Sequence, residues 1–360
     1  MSPNTTDKTV AKKDYRQFIF RKTLYLVVML LVMFVCMGVS LTIGPRDLSF
    51  SEVYKILWDH ICGATYELAS TEWWNDYIVI EERMPRVVIA VVAGIGLALC
   101  GVVMQGIVKN PLADPYTTGI SSGAVFGVSV SMVLGLQVGA ANTGYGTLLN
   151  AFVFGMVPAF IIMLLSRMRN STPATIILAG IAMSFLFSAL STLLVIISDA
   201  ETVHNIYKWQ IGSLSGVTWD TFPLMAAVVV LGSIISLVLS NRLNVLALGD
   251  DSARSLGLDA KKLRIVCLII ISLVAASVCC YLGIIGFVGL VAPNITRMIM
   301  GSDNKFLIPA SMMCGATILL FADTVSRYIT FADVPVGVIM SFIGGPLFLI
   351  LIILNKKGVW

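Results

Sequence analysis

Residues that could carry out chemistry are few in this 360-residue chain, because only 12% of its residues are charged and 58% are hydrophobic. The two histidines are His60 and His204, and no G-x-x-x-x-G-K-[ST], H-E-x-x-H or G-x-S-x-G motif occurs. The chain therefore cannot bind ATP through a P-loop, and it lacks the signatures of zinc proteases and serine hydrolases.

Three arginines are prominent among the polar residues. Arg83 and Arg86 flank Pro85, and Arg327 follows a distant apolar stretch. A guanidinium can bind a carboxylate through two parallel hydrogen bonds, so each of these residues could recognise a carboxylate group. The alternative is that each arginine pairs locally or extends to the membrane interface.

A polar segment, VLALGDDSARSLGLDA, separates two apolar stretches at residues 245–260. It holds an Asp pair, Ala253 and Arg254, followed by Gly257, which is typical of a helix end. Such a segment is a solvated turn in one interpretation and a contact element for a partner in the other.

Two regions predict turns and closely packed helix faces. The turn-forming residues are Asn110, Pro111, Asp114 and Pro115. Glycines then recur every four residues, as in helix faces that pack closely in membranes; they are Gly119, Gly123 and Gly127. Small and hydroxyl residues also share one face of two later stretches, which helix packing alone could explain; they are Gly180, Ser184, Ser188, Ser191, Gly337 and Ser341.

The elements that must position these residues are apolar stretches of about 20 residues, the length that crosses a bilayer. Ten occur, near residues 24–43, 86–108, 116–138, 147–166, 173–197, 222–240, 264–282, 284–300, 306–325 and 335–354. An ordinary soluble domain carries roughly 25% charged residues. The composition therefore excludes a soluble enzyme, a disordered chain and a nucleic-acid binder.

Ten spans would place both termini on one side of the membrane. Most of the 24 Lys and Arg residues then fall in segments that face the cytoplasm, as the positive-inside rule requires. We therefore predict an all-α polytopic membrane protein with about ten transmembrane helices and both termini cytoplasmic. Its predicted parts are a cytoplasmic segment 1–23, a membrane domain 24–354 with an outer loop 44–82 that holds an interfacial helix at 48–60, and a cytoplasmic tail 355–360.

The motifs together resemble a known family. The run R-x-P-R…G…G-x-x-x-Q…N-P-L-A-D-P…G-I-S-S-G-A is similar to the FecCD-type permeases of type II ABC importers, which carry iron-siderophores, haem and cobalamin. The likeness continues at 245–260, at 286–297 (GFVGLVAPNITR), at 322–327 (ADTVSR) and at 335–346 (PVGVIMSFIGGP). It covers about residues 80–354.

This resemblance implies a permease in the cytoplasmic membrane that forms a homodimer. Its implied partners are two ATP-binding subunits, which bind ATP and Mg²⁺, and an extracytoplasmic substrate-binding protein. It implies no catalytic residue, metal or cofactor in this chain itself. It also implies that Arg83, Arg86 and Arg327 receive glutamates of the binding protein.

The resemblance assigns roles to the other motifs as well. Two short helices within 245–262 would couple to the ATPase, and the matching residues are Gly249, Asp251, Ala253, Arg254 and Gly257. The face of Gly180, Ser184, Ser188 and Ser191 would line a central path together with Gly337 and Ser341. Residues 201–216 would form a short outer helix near the gate.

Alternatives remain at this point. A ferric siderophore is the favoured substrate because it is the commonest in the family, with cobalamin or haem as alternatives. An ion-coupled secondary transporter is disfavoured because such proteins usually carry ionisable residues at mid-membrane. A membrane scaffold without transport activity is the third interpretation.

Overall fold

The structure is a computed structural model that describes residues 5–139, 145–166, 173–329 and 334–354. Every regular element within these ranges is helical. The helices are α1 (Thr5–Thr42), α2 (Phe50–Ile61), α3 (Thr71–Tyr77), α4 (Met84–Val108), α5 (Ile120–Leu134), α6 (Tyr145–Ser166), α7 (Pro173–Ile196), α8 (Ala200–Gln210), α9 (Phe222–Ala247), α10 (Asp250–Ser255), α11 (Ala260–Leu282), α12 (Val288–Met300), α13 (Asn304–Tyr328) and α14 (Val336–Leu354). A π-helical turn, Ile78–Arg83, joins α3 to α4, and a 3-10 turn, Pro115–Thr118, precedes α5.

Each predicted apolar stretch coincides with a helix. Seven helical segments of the described residues are long and apolar enough to cross a membrane, and α5, α12 and the described part of α14 are shorter apolar helices. The all-helical, multi-pass architecture is therefore confirmed. The number of crossings, the cytoplasmic location of both termini and the dimer stay predictions. The predicted tail 355–360 lies outside the described residues.

Helix α4 lies at the centre of the packing. In the segment Thr71–Val108, 83% of the most apolar window is buried, and α4 packs against α9, α11, α12 and α13. A helix that is apolar on every side is expected to be enclosed by protein. Glycine permits the closest approaches, since a Cβ built on Gly94 would lie 2.6 Å from the Cα of Ala316 in α13.

The peripheral helices present apolar side chains outward. Only 22% of the most apolar window is buried in α1 and in α7. Phe185 and Leu178 of α7 and Phe342 of α14 are among the most exposed large side chains. In a chain that crosses a membrane, such faces contact lipid or another subunit, because lipid tails are as apolar as leucine.

The predicted outer loop 44–82 is largely helical. Its amphipathic piece forms α2, which begins with a capping box in which Ser49 and Glu52 satisfy each other's backbone N–H groups. Val53 and Ile56 of α2 pack against Leu48 and Val79. This small cluster attaches the outer helices to the beginning of the long helical segment that includes α4.

Candidate functional site

Helix α10 is the short helix expected between the sixth and seventh predicted spans. Gly249 precedes it with φ +117°, and Gly257 follows it with φ +77°, so both ends use backbone conformations that favour glycine. Ala253 is fully buried, whereas Asp251 and Arg254 are exposed. The prediction of two short helices in 245–262 is corrected to one, because residues 245–247 continue α9 and residues 260–262 already belong to α11.

We call the side that is predicted to face the cytoplasm the inner face. Asp250 and Arg264 lie on this side, and sequence reasoning did not select them. The two carboxylate oxygens of Asp250 lie 2.7 Å from Nη1 and Nη2 of Arg264. These hydrogen bonds from Arg264 hold the pKa of the Asp250 carboxyl well below its usual range. Nothing in the sequence spacing indicated this pair, because Asp250 begins one helix and Arg264 lies in the next.

A cleft of about 580 Å³ lies beside α10 on the inner face. Its polar lining combines both signs of charge, and includes Ser166, Asp250, Arg254, Asp259, Lys261 and Arg264. Two large apolar residues that flank α10 are also exposed, with 66% of Leu248 and 65% of Leu256 accessible. The helix therefore presents apolar and charged side chains together.

The predicted turn at 110–115 forms and is fixed at both ends. Asn110 Oδ1 accepts a hydrogen bond from the N–H of Leu112, and Asp114 Oδ1 accepts one from the N–H of Tyr116, at 2.9 and 2.8 Å. Asn294 of α12 donates to the carbonyl of Pro111 at 3.1 Å. Pro115 starts the 3-10 turn that leads into α5.

The three glycines after this turn allow tight packing. Gly119 adopts φ +85° as the residue preceding α5. A Cβ built on Gly127 would lie 2.7 Å from the carbonyl carbon of Asn150 in α6, and one on Gly123 would meet the backbone of Phe154. Gly123 and Gly127 therefore pack closely against α6, whereas Gly119 lies near Gly180 and Met183 of α7 as well as Pro158 of α6.

Arg83 lies in a different environment from the one predicted. The residue is buried, and its guanidinium donates to the carbonyls of Leu41 and Thr42 at 3.0 Å and to that of Arg46. A cation at the last carbonyls of a helix is favoured by the helix dipole. The side chain therefore caps the C-terminal end of α1, and little of it is accessible to a docking partner.

Arg86 and Arg327 converge on Asp323, a carboxylate with no exposed surface. Arg86 Nε lies 2.8 Å and Arg327 Nε 3.1 Å from its two oxygens. Arg327 also donates to the carbonyl of Ile43 at 2.8 Å and to Ser40. The structure thus brings the three predicted arginines to one site, on the side predicted to face outward, where 17% of the Arg86 side chain stays exposed. The spacing of Asp323 and Arg327 by four residues on a helix was a sequence signal for part of this site.

The predicted path residues of α7 divide into two environments. Gly180 is a packing position, because a Cβ there would lie 2.9 Å from the Cα of Thr118. Ser188 and Ser191 border a cavity of about 310 Å³ between α5, α7 and α8. Ser184 and Ser191 each donate to a carbonyl one turn earlier, Gly180 and Phe187 respectively.

The α14 residues divide in the same way. Gly337 is buried against the backbone of Ile211, and its N–H donates to the carbonyl of Gly212 at 3.1 Å. Ser341 is exposed and donates to the carbonyl of Gly337. The two glycines thus serve helix packing, and the assignment of the hydroxyl residues to a path stays a prediction. The predicted outer helix in 201–216 forms as α8.

Comparison with known proteins places this chain in a family. The FecCD transport family matches residues 30–354. The hemin transport system permease protein HmuU of Yersinia pestis is 34% identical over 91% of this chain and 95% of its own length. The molybdate import system permease protein MolB of Haemophilus influenzae is 34% identical over 96% of this chain and 98% of its own length.

A solved structure agrees with these relatives. A transporter assigned to the metal-chelate type of ABC transporters, in an inward-facing conformation, superposes with a TM-score of 0.80 and 32% identity, covering 91% of this chain and 98% of the other. Together with the inner helix α10 and the multi-pass architecture, these matches show that the chain belongs to the FecCD transport family of ABC-transporter permease subunits.

Proposed function

We propose that two copies of this chain form the transmembrane path of an ATP-driven importer in the cytoplasmic membrane. The cargo is a bulky metal chelate delivered by an extracytoplasmic substrate-binding protein. A ferric siderophore is the favoured cargo, with cobalamin or haem as alternatives. Two separate ATP-binding subunits supply ATP hydrolysis, and the chain itself performs no covalent chemistry.

The surface of α10 is the observation that carries this proposal. Leu248 and Leu256 expose apolar surface on either side of a helix whose Asp251 and Arg254 side chains are also accessible. Exposed apolar residues ringed by charge are typical of protein contact sites. An ATPase that binds α10 would cover this surface, and Arg254 suits pairing with an acidic group of that subunit.

The outer arginine site supports a binding protein as the second partner. Arg86 and Arg327 share the single carboxylate of Asp323, so the pair of arginines and this aspartate together retain positive charge. Positive potential near an outer surface favours the approach of an acidic partner. Arg86 is the most exposed of the three arginines and is therefore best placed to bind a carboxylate of the partner.

The dimer is supported by the outward faces of α7 and α14. These helices carry Phe185 and Phe342, which are 74% and 82% exposed, alongside the hydroxyl residues Ser188 and Ser341. A second copy facing α7 and α14 would enclose a path with hydroxyl groups and no formal charge. Such a lining suits a bulky cargo that must pass without strong binding.

Reconstitution tests the proposal. The chain is expressed with its ATPase and binding protein, and the complex is placed in liposomes with ATP and Mg²⁺ available to the ATPase. Uptake is measured for a ferric hydroxamate siderophore, haemin and cyanocobalamin, with molybdate included because MolB is a relative. We expect uptake of one chelate that stops when the Walker lysine of the ATPase is replaced by alanine.

The alternatives give different results in the same experiment. Uptake driven by a proton or sodium gradient without ATP would overturn the proposal in favour of a secondary transporter. ATP-dependent uptake of molybdate alone would contradict the chelate assignment while retaining the importer. The scaffold interpretation would be favoured if the chain co-purified with no ATPase and the reconstituted liposomes took up none of the four compounds.

A further inference from the structure

Arg264 joins three elements of the inner face through one guanidinium. Its Nε donates to the carbonyl of Ile107 at 3.0 Å, in the last turn of α4. Its two Nη atoms hold the carboxylate of Asp250, the first residue of α10. Since Arg264 itself lies in the second turn of α11, the ends of α4, α10 and α11 meet at this group.

Lys109 adds a second cation to the same carboxylate. Its Nζ lies 3.0 Å from Oδ1 of Asp250. Lys109 ends α4 in the left-handed conformation, with φ +56°, so its position is set by the chain reversal into the 110–115 turn. Asp250 therefore bridges a cation from the end of α4 and a cation from the beginning of α11.

Because Arg264 is buried, it depends strongly on its pairing with Asp250. Its side chain is 8% exposed, whereas that of Asp250 is 43% exposed. A buried guanidinium that loses its partner keeps an uncompensated desolvation cost, and a bidentate pair fixes orientation as well as distance. Helix α10 has six residues and cannot be stable alone in water. Its position therefore depends on attachments such as Asp250 and the buried Ala253.

We propose that Asp250 is the positioning residue that fixes α10 to the ends of α4 and α11, so that movement of α10 by a partner subunit reaches both helices. The partner comes from the proposed function, on which this part of the inference rests. The attachment itself is a property of this chain alone, and the two parts are tested separately.

Hydrogen exchange on the purified full chain in detergent tests the attachment. Asp250→Asn preserves the side-chain volume but removes the charge and one acceptor. We expect the amides of Ala253, Leu256 and Leu258, which hydrogen-bond within and just after α10, to exchange about tenfold faster in this variant. Asp250→Glu keeps the carboxylate and is expected to restore slow exchange.

Two further variants form a matched control. Arg264→Gln removes the buried partner and should accelerate the same amides, whereas Arg242→Gln removes an exposed cation from the inner end of α9 and should not. Unchanged exchange of α10 in Asp250→Asn would overturn the attachment, whatever the chain transports. Equal acceleration in Arg242→Gln would also overturn it, because the effect would then be general charge loss.

Coupling is tested in the reconstituted complex, with the chelate that the unaltered complex takes up. The readout is chelate imported per ATP hydrolysed, which a purely structural defect lowering the amount of complex would not change. Asp250→Asn should lower this ratio at least about fivefold, the lower end of typical coupling between sites. Asp250→Glu should stay close to the unaltered ratio.

The outcomes separate this inference from the proposed function. ATP-driven uptake by the unaltered complex, with an unchanged ratio in Asp250→Asn, overturns the coupling role alone. No ATP-driven uptake by the unaltered complex overturns the proposed function and leaves the exchange result to decide the attachment. If Asp250→Asn prevents assembly, Arg264→Lys is measured, since it keeps the positive charge but removes the paired hydrogen bonds to Asp250; a ratio equal to the unaltered one then overturns the coupling role.

Discussion

Arg86 of α4 and Asp323 of α13 form an ion pair in which Nε lies 2.8 Å from Oδ1, although the residues are 237 positions apart in the chain. The carboxylate is fully buried and is shared with Arg327. Two of the arginines predicted to bind an external partner are therefore already paired with a carboxylate inside the protein. The proposed docking and the packing of α4 on α13 would therefore depend on the same side chains.

Loss of this carboxylate should destabilise the protein strongly. Asp323→Asn leaves two arginines, 17% and 6% exposed in their side chains, without a counter-charge. Breaking a buried ion pair on one side costs roughly 3–5 kcal/mol. We expect a lower thermal midpoint in detergent, measured by scanning fluorimetry. The control is Glu81→Gln, an exposed outer carboxylate, and an equal midpoint for both variants would contradict the shared-carboxylate interpretation.

Docking of the binding protein should depend on Arg86 more than on other outer cations. Arg86→Glu removes the partly exposed guanidinium and should weaken docking by at least about tenfold, or about 1.4 kcal/mol. Because a glutamate would also face Asp323, Arg86→Gln is measured beside it and should weaken docking less. Affinity is measured by surface plasmon resonance on the complex in nanodiscs. Lys55→Gln on exposed α2 is the control, and unchanged affinity in both Arg86 variants would exclude docking there.

Replacing two glycines of α4 with alanine should change the stability of the protein in opposite directions. A Cβ at Gly101 would lie 2.6 Å from the Cα of Gly289, so Gly101→Ala forces α4 and α12 apart. Overpacking of this kind typically costs about 1–3 kcal/mol. A Cβ at Gly106 meets no atom within 4 Å, so Gly106→Ala should stabilise the helix by up to about 1 kcal/mol. Thermal midpoints that shift in the same direction would contradict the packing described for α12.

Asp114 should make stability depend on pH. It lies in the turn between α4 and α5, and burial raises the pKa of its carboxyl to about 6. A folded-state pKa above the unfolded value of about 3.9 means that stability is lost as pH rises through that interval. Asp114→Asn removes this penalty while its amide oxygen can still accept from Tyr116. We expect a gain of up to roughly 3 kcal/mol at pH 7.5.

The same variant supplies its own control for this effect. At pH 4 most of the native carboxyl is protonated in the folded state, so the midpoints of the unaltered protein and Asp114→Asn should converge. A difference of equal size at pH 4 and pH 7.5 would show that the substitution acts through packing or hydrogen bonding instead of through the buried charge.

The sequence alone determined much of the fold. Hydropathy is a local property, and each of the ten apolar stretches coincides with a helix of the structure, as does the amphipathic piece that forms α2. The resemblance read from the motif around residues 83–124 is confirmed by the family match over 30–354. Turn chemistry was also local, and the 110–115 turn forms as its Asn, Pro and Asp residues predicted.

The pairing of the polar residues follows from how the helices pack in three dimensions. Arg83 donates hydrogen bonds to the carbonyls of Leu41 and Thr42, which lie 42 and 41 positions earlier in the chain. Arg264 donates hydrogen bonds to Asp250 and Ile107, which lie on two other helices. Composition and residue spacing do not predict such pairs, because the pairs form where helix ends from separate parts of the chain converge. The sequence could therefore identify the arginines, the short inner helix and the glycine faces as important. The packing of the helices decides which of these residues cap a helix, which join two helices and which remain available to a partner. The physical reason is that a charge buried by this packing must have a partner inside the protein.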